Sequence, residues 1–281
     1  MLTTRGVAGA SDWIGLGTPD LDGAIAFYTG LLGWEYRAGG PETGGYGVFT
    51  LDGKTAGGVR AVTGEQAKPS WSVYFRSPDA HAAARAVEQA GGSVPCAPTD
   101  VLDFGTMAGF KDRAGAFFGV RQPKRSPGPG AAGVAGSLCW AELHTLDVPA
   151  AAAFYGAVFG WETGLTPLPG GGGSYTVIRT RDSGEEVSFG GLVPLSARAA
   201  GAVAGPHWLP CFEVDDCDAA VADVERLGGR LTRRPVERQG VGGFADVTDP
   251  DGVEFVLIKS ARPLGARPSR ERRTGTQPPQ R

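Results

Sequence analysis

The sequence predicts an α+β protein built from four βαβββ modules, two in each half of the chain, whose curled mixed sheets carry helices on the outside. Three observations predict it. Asp12 to Glu35, DWIGLGTPDLDGAIAFYTGLLGWE, recurs 127 residues later as Cys139 to Glu162, CWAELHTLDVPAAAAFYGAVFGWE. A second group of matches runs at an offset of 137: WSVYF at 71–75 with WLPCF at 208–212, VEQAGG at 87–92 with VERLGG at 224–229, and DRAG at 112–115 with DPDG at 249–252. Short β-prone runs separated by glycine turns fill the space between the matched segments. The chain is a tandem duplication, with ten residues added in the second copy between Trp161 and Trp208.

Each repeat opens on a strand. Ala141, Leu143 and Thr145 alternate with Trp140, Glu142 and His144, which gives a core face and an opposite face. Asp20 and Asp147 then sit where a side chain accepts from the free N–H groups of a starting helix, and Pro149 fits a first turn. Gly33 and Gly160 stop the helices. Strands follow at 34–37, 47–51 and 57–62. From Trp71 the order recurs, with a strand, an Ala-rich helix over 79–89, and strands near Ser93, 104–110 and 116–121. The second half repeats this with strands at 174–179, 186–194, 209–214, 243–248 and 253–259 and a helix over 216–227. The four glycines at 170–173 read as a turn, with no phosphate-binding fingerprint around them.

At 281 residues, two units of about 110 to 130 residues each bury a core. The divisions read from the sequence are a disordered start at 1–10, a first domain at 11–122, a Pro/Gly-rich linker at 123–137, a second domain at 138–260 and a disordered basic tail at 261–281. The tail holds six Arg against one Glu, leaving the rest of the chain at a net of −8 against −3 overall, a poor match for nucleic acid. The four cysteines form no CxxC pair, no apolar segment opens the chain, and no run is long enough to span a bilayer. The expectation is a reduced, cytoplasmic protein with no membrane or nucleic-acid partner.

The W-x-x-L-x-T-x-D…FY…GWE start, the strand-to-helix repeat and the closing DPDGVEFVLI resemble the vicinal oxygen chelate superfamily. Its members include glyoxalase I, extradiol dioxygenases and bleomycin-resistance proteins. The resemblance is greatest to tandem-domain, glyoxalase-like bacterial members labelled hydroxylase, some of them in aromatic polyketide (antibiotic) pathways. It implies two glyoxalase-like domains that form a pseudo-dimer within one chain. It also implies where metal ligands would fall, and those positions hold Trp13 and Trp140, Gly119 and Val256, and Ser72 and Leu209. Nothing there binds a divalent ion well, so neither metal nor cofactor is expected. An unconventional site around His144 with Glu142, or His207 with Glu213, is the alternative.

Strand parity turns Trp13, Gly15, Gly17, Ser72, Tyr74, Arg76, Phe117, Gly119 and Arg121 to the inner face of the first half. In the second half it turns Trp140, Glu142, His144, Cys211, Glu213 and Glu254 inward. Gly15 and Gly17 stand where the second copy has Glu142 and His144, so the first floor is expected to be deeper and to form the principal cleft. Trp13, Tyr74 and Phe117 would stack on a flat ligand, and Arg76 or Arg121 would meet its oxygens. The alternative is that these aromatics fill the sheet interior. His144 and Glu142 are the candidate acid–base pair. Two functions follow as expectations: a metal-independent binder of a planar aromatic small molecule, for sequestration or for assisting its modification; or a metal-dependent or cofactor-free lyase, oxygenase or hydroxylase using His144 and Glu142.

Overall fold

Alternating burial along the repeats produces two sheets of identical order. The computed structural model describes residues 6–64, 68–125, 128–168, 173–182, 185–195, 205–238 and 242–260. In the first half β1 (Ser11–Thr18), β2 (Glu35–Arg37), β3 (Gly47–Leu51), β4 (Lys54–Ala61), β5 (Ser70–Arg76), β6 (Ser93–Val101), β7 (Gly105–Lys111) and β8 (Phe117–Pro123) lie in the order β2-β3-β4-β1-β5-β8-β7-β6. In the second half the strands are β9 (Leu138–Thr145), β10 (Glu162–Pro167), β11 (Ser174–Asp182), β12 (Glu185–Pro194), β13 (His207–Glu213), β14 (Arg230–Arg238), β15 (Gly242–Thr248) and β16 (Glu254–Ser260). They take the order β10-β11-β12-β9-β13-β16-β15-β14. Within a module the helix crossover makes the first and last strands parallel, as in β1 with β4. The modules meet through antiparallel β1 with β5 and β9 with β13. This is the α+β architecture expected from the repeats.

The capping residues act as their positions predict. Asp20 accepts from the Gly23 N–H at the start of α1 (Leu21–Leu32), and Asp147 accepts from Ala150 at the start of α3 (Val148–Phe159). Asp79 and Asp216 do the same for α2 (Ala80–Gln89) and α4 (Cys217–Arg226). Each such cap contributes about 1 kcal/mol. Gly33 and Gly160 end α1 and α3 at φ 67° and 70°, where a side chain would be strained.

Strands β10 and β14 carry no pattern that the sequence reading picked out. Both are sheet edges with a single neighbour, and β10 is almost wholly exposed, so no alternation is imposed on it.

Trp71, Val73 and Phe75 of β5 are buried on the face opposite Ser72, Tyr74 and Arg76. They meet Trp208 and Phe212 of β13: the Phe75 and Trp208 rings are 4.9 Å apart, and those of Trp71 and Phe212 are 5.7 Å apart. Helix α1 packs on α4 and α2 on α3, so one core runs between the two sheets. The repeated motifs tie the halves across this core. The Tyr of each FY pair donates to the Asp of the opposite half's D-x-x-G turn, Tyr28 to Asp249 at 3.0 Å and Tyr155 to Asp112 at 3.1 Å. Each GWE tryptophan donates across as well, Trp34 to the Gly136 carbonyl and Trp161 to the Gly9 carbonyl, both at 2.8 Å.

That last contact corrects the expectation of a disordered start. Val7 and Ala10 are buried, and the Gly9 N–H donates to the Arg76 carbonyl, so residues 6–10 belong to the fold. The expected linker is likewise held, with Gly130 bonded to Thr55 and Gly136 to Glu213. Residues 1–5, most of the four-glycine turn and the basic tail lie outside the described residues.

Candidate functional site

The sheet of the second half curls until its outer strands face one another. Thr166 of β10 and Val177 of β11 line the same cavity as Phe244 of β15 and Ile258 of β16. The cavity measures about 180 Å³ and is partly open, with Cys139, Trp140, Pro167, Leu168, Tyr175 and Ser260 completing its wall. Apolar surface dominates it, with polar groups confined to a few points, as in small-molecule sites generally.

One of those points continues into a hydrogen-bonded chain. Trp140 Nε1 donates to the Tyr175 hydroxyl at 2.9 Å, and that hydroxyl donates to Glu142 Oε1 at 2.8 Å. Glu142 Oε2 lies 3.3 Å from His144 Nε2, both side chains being buried. The His144 ring stacks on His207 at 5.4 Å, and His207 Nε2 lies 3.3 Å from a Glu254 carboxylate oxygen. Burial, reinforced by the charge of Glu142, holds the Tyr175 phenol protonated far above its ordinary range. On the opposite wall Ser260 donates through its N–H and hydroxyl to Glu213. Burial pushes the thiols of Cys139 and Cys211 well up, so neither offers a ready thiolate.

The corresponding positions of the first half are packed. Trp13 is fully buried, its ring 4.6 Å from Phe104 in an edge contact, and Arg121 lies over Phe104 at 4.3 Å. Arg121 and Arg76 both pair with Asp12. The repeat puts Cys139 in place of Asp12, Glu213 in place of Arg76 and Ile258 in place of Arg121, so the ion cluster is gone, with Cys139 and Ile258 in the cavity wall and Glu213 held by Ser260. The depth expected above Gly15 and Gly17 is also taken up. The Tyr46 hydroxyl accepts from Trp13 Nε1 at 3.0 Å, and a Cβ on Gly15 would stand 3.4 Å from that hydroxyl. A Cβ on Gly17 would stand 2.9 Å from Val62, and Tyr74 lies across Gly119. Trp13, Tyr74, Arg76 and Arg121 thus fill and tie the inner face, while Ser72 and Phe117 are half-buried beside them.

Sequence reading missed both tyrosines of the Trp–Tyr pairs. The available signal was the Y-x-V that opens a strand in each half, Tyr46 to Val48 and Tyr175 to Val177.

Two family descriptions match this chain: the glyoxalase/bleomycin resistance protein/dioxygenase superfamily over residues 10–120 and a glyoxalase-like domain over 140–258. The anthracycline biosynthesis protein DauV of Streptomyces sp. (strain C5) is 36% identical, over 94% of this chain and 98% of its own. This chain belongs to that superfamily. DnrV of Streptomyces peucetius, another anthracycline biosynthesis protein, is also 36% identical, over 91% and 95% of the two chains. Among solved structures the superfamily fold recurs in the Mn(II)-bound glyoxalase from Novosphingobium aromaticivorans, with a TM-score of 0.58 at 17% identity over 92% of this chain and 86% of that one. It recurs too in the 2,3-dioxygenase LapB from Pseudomonas sp. KL28, at 0.61 and 14% over 90% and 93%.

Membership raises the question of a divalent ion, against which the residues at the expected ligand rows can be set. The register places Tyr74 rather than Ser72 opposite Trp13, with Gly119 next across the sheet, and Cys211 rather than Leu209 opposite Trp140, followed by Val256. Indole, phenol, a bare glycine, a protonated thiol and an isopropyl group do not make an oxygen–nitrogen ligand set. Among the described residues no three His, Cys, Asp or Glu side chains converge to hold an ion. The residues at these rows do not fit the metal of the superfamily.

Proposed function

We propose that this protein binds a planar aromatic small molecule of the polyketide type, without a metal ion, in the curled sheet of its second half. The observation that carries the reading is the cavity itself, apolar on most sides, walled by Trp140 and Phe244, and polar where Tyr175 and Ser260 reach it. Flat aromatic faces lose water against such walls at roughly 25 cal/mol per Å² of apolar surface, before the cost of ordering is subtracted. The similarity to two anthracycline biosynthesis proteins over nearly their whole length supports a ligand of that chemical class. Residues 11–122 and 138–260 act in this reading as two glyoxalase-like domains paired as a pseudo-dimer, the first as scaffold and the second as binder. The bound molecule is either sequestered or presented for modification.

The test is a titration of the full chain with hydroxylated anthraquinones, comparing wild type with Trp140→Ala and with Trp13→Ala. Loss of affinity on Trp140→Ala but not on Trp13→Ala supports the reading. The reverse pattern restores the first half as the binding site.

A further inference from the structure

We infer that the ligand enters the second cavity through an ionisable hydroxyl, a phenol or an enol conjugated to a carbonyl, and that Tyr175 relays its proton to Glu142. This rests on the binding reading above and deepens it. The hydroxyl of Tyr175 has its hydrogen committed to Glu142 Oε1 and already accepts from Trp140 Nε1. What remains on the phenol oxygen is acceptor capacity, so the ligand group that meets it must be a donor. A carboxylate 2.8 Å behind that oxygen is a base placed to receive the displaced proton.

The step balances without a co-reactant. The ligand O–H breaks as a new O–H forms on Tyr175, the original Tyr175 O–H breaks, and that proton forms an O–H on Glu142 Oε1. The products are a bound phenolate or enolate, neutral tyrosine and neutral carboxyl, so no net charge is added to the site.

His144 acts as a positioning residue. With its Nε2–H directed at Glu142 Oε2, it holds the second carboxylate oxygen in both protonation states, and its buried Nδ1, which has no partner among the described residues, becomes the acceptor. Among the described residues the other titratable groups near Glu142 include Cys211 on β13 and Cys139 on β9, whose burial keeps both as thiols, and His207 with Glu254 beyond the stacked ring.

The first half supplies an internal control. It keeps the Trp13–Tyr46 hydrogen bond, and it has Gly15 and Gly17 where the second half has Glu142 and His144. The Trp–Tyr pair is therefore common scaffold, and the base with its positioning imidazole stands beside the second-half cavity.

Visible absorption titration of the full chain tests this, with 1,2-dihydroxyanthraquinone as probe and its dimethyl ether as the probe lacking the proton. The pH is set about one unit below the first ionisation of the free dye. In wild type the bound dye takes the band of its anion, and the dimethyl ether binds about tenfold more weakly. Glu142→Gln and Tyr175→Phe, with unchanged circular dichroism, bind the dye in its neutral band. His144→Gln, which can still donate to Glu142, keeps the anion band, and His144→Ala loses part of it. Cavity-filling Val177→Trp and Leu168→Trp bind neither compound. A neutral band in wild type, or an anion band that survives in Glu142→Gln, overturns the relay while leaving the binding reading intact. If neither compound binds wild type, or both bind the cavity-filled variants normally, the binding reading falls and the relay with it.

Discussion

The Tyr28 hydroxyl donates to Asp249 Oδ2 at 3.0 Å, joining the first helix of one half to the turn before the last strand of the other. It also accepts from Trp71 Nε1 at 3.0 Å, so three buried groups from different parts of the chain are satisfied at one oxygen and its partner. Tyr155, Asp112 and Trp208 repeat the arrangement on the other side.

Removing either hydroxyl leaves a buried carboxylate and a buried indole N–H without their shared partner. Tyr28→Phe and Tyr155→Phe are each expected to cost about 1–3 kcal/mol. Urea denaturation followed by tryptophan fluorescence measures this. Costs below a few tenths of a kcal/mol would show that water replaces the lost hydroxyl.

Burial raises the Asp249 carboxyl to about 6, against the pull of the Val253 N–H and Tyr28 hydrogen bonds. An acid whose folded pKa lies above its unfolded value holds its proton more tightly when folded, so its contribution to stability rises as pH falls through 6 toward 4. The gain is expected to be about 3 kcal/mol, complete below the unfolded pKa and lost above pH 6. Asp249→Asn carries no such proton. The difference in unfolding free energy between wild type and this variant should change across pH 4–6, and a flat difference would contradict the shift.

Cys139, Cys211 and Cys217 are buried while Cys96 is exposed, and burial raises the first two thiols well above the ordinary range. A thiol reagent such as Ellman's should titrate one cysteine in the native protein and four after denaturation. Fast native reaction at Cys139 would mean that the cavity admits the reagent and stabilises a thiolate.

Trp140 lines the cavity, and Trp13 lies packed against Phe104. Trp140→Ala should weaken binding of a hydroxyanthraquinone by about 1–3 kcal/mol. Trp13→Ala should instead lower stability by about 3–5 kcal/mol with little change in affinity per folded molecule. Calorimetric titration and thermal unfolding separate the two effects.

Much of the fold could be read because repetition checks itself. Asp20 and Asp147 cap helices at the same repeat position, and the alternation around Val73 and Leu143 assigns faces without reference to anything distant. The same parity put Glu142 and His144 on one inner face, where the structure finds them 3.3 Å apart. The place of Tyr175 was not legible. It comes from β11, two strands away from β9 in the sheet, and only the curl of the sheet sets its hydroxyl beside Glu142.

The sequence by itself determined the duplication, the module order, the helix caps and which side of each strand faces the core, because these depend on local periodicity and on comparing two copies. Only the tertiary structure placed the cavity beside Trp140 and the packing around Gly15 and Gly17. Gly15 and Gly17 promised space, but space in a packed interior belongs to whichever side chain reaches it first, and Tyr46 and Val62 arrive there from separate segments. Asp12 tied Arg76 and Arg121 into the first interior, whereas Cys139 and Ile258, too small and too apolar to bridge the second, left the cavity beside Trp140 open.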